Sequence, residues 1–397
     1  MAHDVRIPQE EDREQIARLL STSLNSPLER SLARAPGLPL KDFRCAYEGD
    51  RVVAAAAEFH FLQWFGGRAL PMSGIFAVAT LPERRRSGLM SAALRRILED
   101  ARGRGDPISS LYPAVLRPYR RLGYELAGTF TQHQLPIDAI PSFAGEDLPD
   151  VELADLEHDL DEIEQCYRSW VGARNGAIEP TGRRWWTDRV FNRPFDDTFR
   201  VVVARGDARV EGFAAFVRET AEGRLDVSFG LDCNVLVATT DRALRAMLAY
   251  FRGHHGLGRW VRWVGPPNDP ISLLVDEQHV EQHYRFTWMT RLLDVQAAFE
   301  RRGYPAEDGA CTIAVEDPLF PENGGPWRIE AASGKVAVTR VGGAPRPVSI
   351  GTLSALFTGY LRPADAVRLG LLDADDPAVD VLSRLLAGPD PWCPFFF

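Results

Sequence analysis

The residues able to do chemistry gather in one stretch, Gly74 to Leu94. An apolar run beginning at Ile75 stops at Pro82, and three arginines, Arg84, Arg85 and Arg86, follow with Ser87 and Gly88. From Met90 onward apolar residues recur at helical spacing: Met90, Leu94, Ile97, Leu98 and Ala101 share one face. The order is strand, basic turn, helix N-terminus. The first backbone N–H groups of a helix lack intrahelical partners, and the helix dipole adds partial positive charge beside them. With arginines alongside, such a corner suits an anion, phosphate above all. On residue types alone an ordinary strand–helix corner with solvated arginines stays open.

Two further groups could move protons. Tyr124 follows Leu122-Gly123, and a phenol of pKa ~10 can protonate a thiolate whose conjugate acid lies near ~8.5 at a cost of about 2 kcal/mol. Tyr112 and Tyr119 lie near it in sequence and compete for that part. The chain ends Pro391-Trp-Cys-Pro-Phe-Phe-Phe397. Leaving those rings in water costs about 1.5–3 kcal/mol each relative to burial, so this end should pack, and it brings its α-carboxylate with it. That charge needs a cation: an amine ligand, or an arginine in an ordinary interface.

Other clusters carry less. His279 and His283 are spaced i, i+4, but Val280 stands where a zinc-protease helix has glutamate. The five cysteines are scattered without a CxxC pair, which argues against a zinc framework or disulfide scaffold. No metal is expected. A net charge of −9 argues against a general nucleic-acid binder. No apolar run approaches the ~20 residues of a membrane span, and the N-terminus lacks a signal-peptide core, so a cytoplasmic protein is expected.

The elements that position these groups read as α+β. Val5 to Pro8 reads as a strand and Asp12 to Thr22 as a helix. Phe43 to Glu48 and Arg51 to Phe61 are strands joined by a Glu-Gly-Asp turn, and Trp64 to Gly67 is a second turn. Ile108 to Pro113 is a strand, Val115 to Leu122 is helical, and a strand runs from Tyr124 through Phe130. Residues 139–292 repeat this coarse order, with helices at Asp159–Trp170 and Asp241–Gly253 and strands at Phe199–Arg205, Val210–Arg218, Asp226–Val237, Trp260–Val264 and Tyr284–Leu293. Thr239-Thr-Asp-Arg-Ala243 stands there in place of the arginine–glycine turn, as in a degenerate duplicate. Residues 293–397 differ: a helix from Asp294, strands near 310–316, 327–332 and 335–341, then helices at 352–361 and 376–387.

Arg85-x-x-Gly88-x-Met90, after Val78-x-x-x-Pro82, resembles the R/Q-x-x-G-x-G/A pyrophosphate loop of the GNAT acetyltransferases, with Met90 where that pattern has a small residue. Arg120-Arg-Leu-Gly-Tyr124 is similar to the close of the same domain. The third region, with Trp327-Arg-Ile-Glu and Gly334-Lys-Val-Ala-Val, resembles a sterol-carrier-protein domain. Together with the aromatic terminus, the whole chain resembles the Eis (enhanced intracellular survival) aminoglycoside N-acetyltransferases. The resemblance implies two GNAT-like mixed-sheet domains, 1–138 and 139–292, and a sterol-carrier-like domain, 293–397. It implies acetyl transfer from acetyl-CoA to amines of polycationic small molecules, by a homo-hexamer. Arg85, Arg86, Ser87 and Gly88, with the backbones of Met90 and Ser91, would hold the pyrophosphate. The Val78 N–H would polarise the thioester carbonyl, and Val78 and Thr80 would pair with pantetheine. Tyr124 would be the acid and the Phe397 carboxylate the base. Glu29, Trp185 and Trp186 are candidates for the acceptor site, the tryptophans equally for core. Two other readings stand beside this one: acetylation of protein lysine or a metabolite, and a lipid-binding protein with a vestigial loop.

Overall fold

The computed structural model describes residues 3–191, 198–207, 209–222, 227–343 and 346–397. The first part of the chain forms β1 (Asp4–Arg6), α1 (Arg13–Leu24), α2 (Leu28–Arg34), β2 (Phe43–Glu48), β3 (Arg51–Phe65), β4 (Arg68–Thr80), α3 (Leu89–Arg104), β5 (Ile108–Leu111), α4 (Arg117–Arg120) and β6 (Glu125–Pro136). The second forms β7 (Asp150–Leu153), α5 (Leu160–Val171), β8 (Ile178–Pro180), α6 (Arg183–Trp185), β9 (Arg200–Arg205), β10 (Val210–Thr220), β11 (Phe229–Ala238), α7 (Asp241–Arg252), β12 (Gly258–Gly265) and β13 (Glu281–Leu292). The third forms α8 (Val295–Arg301), β14 (Gly309–Glu316), β15 (Gly325–Ala332), β16 (Lys335–Arg340), β17 (Pro347–Ser349), α9 (Ile350–Thr358), α10 (Pro363–Arg368) and α11 (Ala378–Leu385). Asp226, the expected start of β11, lies outside the described residues.

The architecture is the expected α+β one: two mixed-sheet units of like order and a third with its own four-stranded sheet. The two units are not laid end to end. Their strands form one sheet of 13, in the order β1-β2-β3-β4-β5-β13-β6-β12-β11-β10-β9-β7, with β8 added to β3. Thus β13, from the second half, completes the first half's sheet against β5, while β6, from the first half, sits against β12. The halves exchange their last strands. Strand β3 is also longer than its sequence suggested, because Phe61 to Gln63 pair with β8 and the Trp64 N–H donates to the Ala177 carbonyl.

Local chemistry explains the elements next to the wedge between β4 and β5. Helix α3 buries Leu94, Ile97, Leu98 and Ala101 on the sheet and ends at Gly105, whose φ of 91° a side chain would strain. The third region is tied in by a buried ion pair. Arg291 on β13 meets Asp317 at 2.7 Å, and Asp317 also accepts the Leu319 and Phe320 N–H groups. Among the described residues no helix is long and apolar enough to cross a membrane, and all five cysteines are buried and unpaired.

Candidate active site

Strand β4 makes the site by parting from its neighbour. It runs parallel to β5 only from Met72 to Ile75, then continues to Thr80 against β3 alone. Where the two part, β4 bulges. Ala55 pairs with Ala79 and Ala57 with Phe76, so Ala77 and Val78 together face Ala56, and Ala77 takes a φ of 52°. A bulge interrupts the ladder and leaves a residue unpaired, here at the mouth of a wedge.

At the far end of β4 the basic turn opens to solvent. Pro82 to Arg84 form a single 3-10 turn, the Ser87 hydroxyl donates to the Arg84 carbonyl at 2.5 Å, and Gly88, at φ 86°, starts α3. Glu48 holds Arg84 at 2.8 Å and Arg51 holds Glu83 at 2.9 Å. Arg85 and Arg86 stay exposed, with no carboxylate partner among the described residues. The first turn of this 16-residue helix has no acidic residue, and no side chain among the described residues caps its positive end. The Met90 side chain packs into the core beside α3 rather than into the turn, and Ser91 is half-buried on the next step. These features fit a diphosphate: free cations, an uncapped helix start and a glycine at the closest approach.

Tyr124 lies beneath α3, 1% exposed, its hydroxyl 2.7 Å from Ser109 Oγ. Ser109 Oγ is also 2.8 Å from the Ser73 carbonyl. A carbonyl can only accept, so the single Ser109 proton goes to Ser73, and Tyr124 donates to Ser109. Burial pushes the Tyr124 pKa above its ordinary value, while Ser109 and Arg291 act the other way. Tyr119, edge-on to Tyr124 at 6.3 Å, is pushed up to about 12 by burial. Tyr112 is otherwise engaged, its hydroxyl donating to the Phe395 carbonyl at 2.9 Å.

The chain's end enters the same wedge from the other side. Beyond Thr131 strand β12 has ended, and the tail takes its place beside β6: the Thr129 N–H donates to Pro391 at 3.0 Å and the Cys393 N–H to Thr129 at 2.9 Å. Asn175 steadies it, donating to Pro389 and accepting the Trp392 N–H. Phe397 then reaches β4, its ring 5.3 Å from both Phe61 and Tyr112. A side chain at Gly74 would begin 3.2 Å from the Phe397 ring and 2.9 Å from that of Phe61, so the terminus needs glycine there. Among the described residues no arginine or lysine pairs with the terminal carboxylate. Ile75 packs in the cluster that holds Tyr124, whereas Gly74 faces Phe397, and successive strand residues point to opposite faces. Tyr124 and Phe397 therefore flank the wedge from opposite faces of the sheet.

The acceptor candidates separate. Trp185 is 8% exposed and stands edge-on to Phe59 and Phe61 at 5.4 and 4.9 Å. Trp186 points inward, against Tyr167 and Phe395, and is core. Glu29 is exposed on α2. Sequence reasoning missed Ser109, Gly74 and the aromatic wall of Phe59, Phe61 and Phe76; only the alternation Phe59-His-Phe61 hinted at it. Glu58, His60 and Asp106 bring possible metal-ligand atoms within 4.8 Å of one another, but Arg104 already holds Glu58 at 2.9 Å and Asp106 at 2.7 Å, so a guanidinium supplies the positive charge.

The second half has its own wedge between β11 and β12, which are parallel only as far as Asp232 and Arg262. It holds a cavity of about 560 Å³ beside Trp170, Arg174 and Trp263, walled on one side by Trp392 of the tail. No basic turn follows it: Thr240 caps α7 and its hydroxyl meets Glu211 at 2.9 Å.

Comparison with known proteins agrees with this geometry. Residues 4–127 and residues 181–292 each match an acetyltransferase (GNAT) domain model, and residues 295–394 match a sterol carrier protein domain model. The chain is 29% identical over 375 residues to an uncharacterized N-acetyltransferase of Streptomyces avermitilis, covering 88% of each chain. It is 26% identical over 295 residues to the N-acetyltransferase Eis of Mycobacterium tuberculosis, covering 69% of this chain and 67% of that one. The crystal structure of a GCN5-related N-acetyltransferase from Anabaena variabilis superposes with a TM-score of 0.91 at 26% identity over the full length of both chains.

Proposed function

This chain is a GNAT-superfamily acetyltransferase homologous to Eis-like proteins, transferring acetyl from acetyl-CoA to amines, and from that premise we propose that it does so directly, with Tyr124 as acid and the Phe397 carboxylate as base. The observation that supports this reading is that Tyr124 and the Phe397 ring flank the wedge from opposite faces. Arg85, Arg86 and the N–H groups at the start of α3 bind the diphosphate, and Gly88 lets it approach. Val78 and Thr80 offer a strand edge to the pantetheine amides, although the Thr80 carbonyl also accepts from the Ser23 hydroxyl at 3.1 Å. The bulge at Ala77 aims the Val78 N–H at the carbonyl oxygen that gains charge during transfer; such an oriented donor is worth about 2.7–4 kcal/mol.

The incoming amine arrives protonated. A terminal carboxylate of free pKa ~3.3–3.7 is a weak base for an ammonium of pKa near ~10. No arginine or lysine among the described residues pairs with it, which leaves the substrate amine as its partner, so in this reading the carboxylate chiefly orients the amine and relays its proton through water. From the α3 side, Tyr124 delivers its proton to the departing thiolate. As that proton leaves, Ser109 can turn its own hydroxyl from Ser73 to the phenolate, holding the new charge.

Extending the chain past Phe397 tests the base. Appending two residues should cut turnover at least a hundredfold with acetyl-CoA affinity unchanged. Wild-type turnover by the extended enzyme would remove the carboxylate from the chemistry.

A polycationic acceptor such as an aminoglycoside, which the resemblance implies, calls for carboxylates around the acceptor position. Among the described residues the wall there is aromatic.

A further inference from the structure

The second wedge is built like the first. In the first half β4 and β5 part and α3 follows β4; in the second β11 and β12 part and α7 follows β11. The cavity of about 560 Å³ lies at that second parting, and its size is that of a small-molecule pocket. A diphosphate does not suit it. Asp241 stands in the first turn of α7 and Glu211 meets the Thr240 hydroxyl, so an anion is repelled where the first wedge attracts one. Trp170, Trp263 and Trp392 give the cavity apolar walls. Two observations add polar demands. The Arg174 guanidinium, on the cavity wall, lies 3.8 Å over the Trp170 ring and donates to the Trp170 carbonyl, and it forms no ion pair among the described residues. A guanidinium carries five N–H groups, so donors remain for another acceptor. On β6, Thr129 pairs with Trp392 and Thr131 with Gly265, both of the cavity wall, and each threonine has a buried hydroxyl without a hydrogen-bond partner. The charges around the cavity nearly cancel. Asp269 accepts from Trp263 Nε1 at 2.8 Å and from the Ile271 N–H at 3.0 Å, and Asp390 pairs with Arg362 at 3.4 Å. A carboxylate would face these acids and Asp241, and a cation would face Arg174.

We propose that the second wedge is a separate small-molecule site, taking a flat, uncharged ligand with a carbonyl-type acceptor, its body against the tryptophans and its acceptor on Arg174. The tail feels whether the site is filled. Trp392 is part of the cavity wall, and Asn175, the neighbour of Arg174, grips the tail at Pro389 and Trp392 while accepting the Gly66 N–H at 2.8 Å. A bound ligand therefore steadies the segment that ends at Phe397, and the duplicate half becomes an input to the first wedge.

The test uses four molecules of one skeleton on the full-length protein with coenzyme A present: 1-indanone, indane, indane-2-carboxylate and 2-aminoindane. By calorimetry 1-indanone should bind about tenfold tighter than indane, a preference that a hydrogen bond to a charged donor supplies, and tighter than either charged analogue. Arg174→Met should bring 1-indanone and indane level. Ala173→Trp, which sets a ring at the exposed rim of the cavity, should abolish binding. Unchanged melting temperatures mark both variants as folded. Amide hydrogen exchange at Trp392 and Cys393 should slow at least threefold when 1-indanone is bound. The proposal is overturned if 1-indanone does not bind, if indane or a charged analogue binds as tightly, if either variant binds like wild type, or if exchange in the tail is unmoved. None of these readouts depends on which group takes the proton of the amine in the first wedge.

Discussion

Replacing Ser109 with alanine should separate structural from chemical roles at the wedge. Ser109 Oγ accepts from Tyr124 at 2.7 Å and donates to Ser73 at 2.8 Å, and all three residues are buried. The alanine variant leaves the Tyr124 O–H without an acceptor in a site water does not reach. An orphaned buried donor costs about 1–3 kcal/mol, which in a chain of this size lowers the melting temperature by a few degrees. Removing Tyr124's hydroxyl as well takes away the orphan, so Ser109→Ala/Tyr124→Phe should be more stable than Ser109→Ala alone. Turnover should follow another order. Tyr124→Phe should lose ~10²–10⁴-fold in kcat through loss of the acid, with acetyl-CoA affinity little changed. Ser109→Ala should lose about tenfold in kcat, because the phenolate left after transfer loses the hydroxyl that would hold it. In the Tyr124→Phe background the serine should have no further effect on kcat. A Ser109→Ala enzyme with wild-type kcat would refute the proton route. A Tyr124→Phe enzyme with wild-type kcat would pass the acid role to Tyr119.

Other consequences are as direct. Gly74→Ala puts a methyl 2.9 Å from the Phe61 ring and 3.2 Å from that of Phe397; it should cost about 1–3 kcal/mol by overpacking and reduce kcat more than acetyl-CoA affinity, and unchanged kcat would detach the terminus from the reaction. Arg85→Ala should weaken acetyl-CoA binding at least tenfold by calorimetry, since a charged hydrogen bond contributes ~1.5–3 kcal/mol; equal affinity would move the diphosphate elsewhere. Burial pushes the Cys393 thiol up to about 11 and those of Cys45, Cys166 and Cys311 up to about 12. Unfolded thiols ionise near pH ~8.5, so this stabilisation is whole below that pH and is lost, at up to about 1.4 kcal/mol per unit and per thiol, as pH rises toward the folded values. Urea midpoints that stay level from pH 8 to pH 10 would contradict it.

The strand, basic turn and helix from Gly74 to Leu94 were legible because they are local: an apolar run, a proline and a helical stripe need only near neighbours. Tyr124 was legible from its Gly-Tyr setting, but its partner Ser109 was not, since small polar residues in a strand carry no mark of what they meet. Trp185 and Trp186 are identical letters side by side in one core cluster, and only tertiary packing sets the first edge-on to Phe59 and Phe61 and the second against Tyr167 and Phe191. Gly74 read as a plain strand glycine because the ring it accommodates belongs to the last residue of the chain. Pairing partners were the least legible of all: β13 and β5 each alternate well enough to sit beside many strands, and nothing in either names the other.

The exchange of last strands also sets a schedule for synthesis. Strand β5 leaves the ribosome with Leu111, but the strand that covers its open edge begins at Glu281. At about 5–20 residues per second, the growing chain carries that uncovered edge for roughly 10–30 s. Strand β6 waits as well for β12, from Gly258 onward. Unpaired edges are templates for adding foreign strands, so this interval is when the nascent chain is most exposed to aggregation and most dependent on chaperones. A gene fragment ending near residue 138 would make that transient condition permanent.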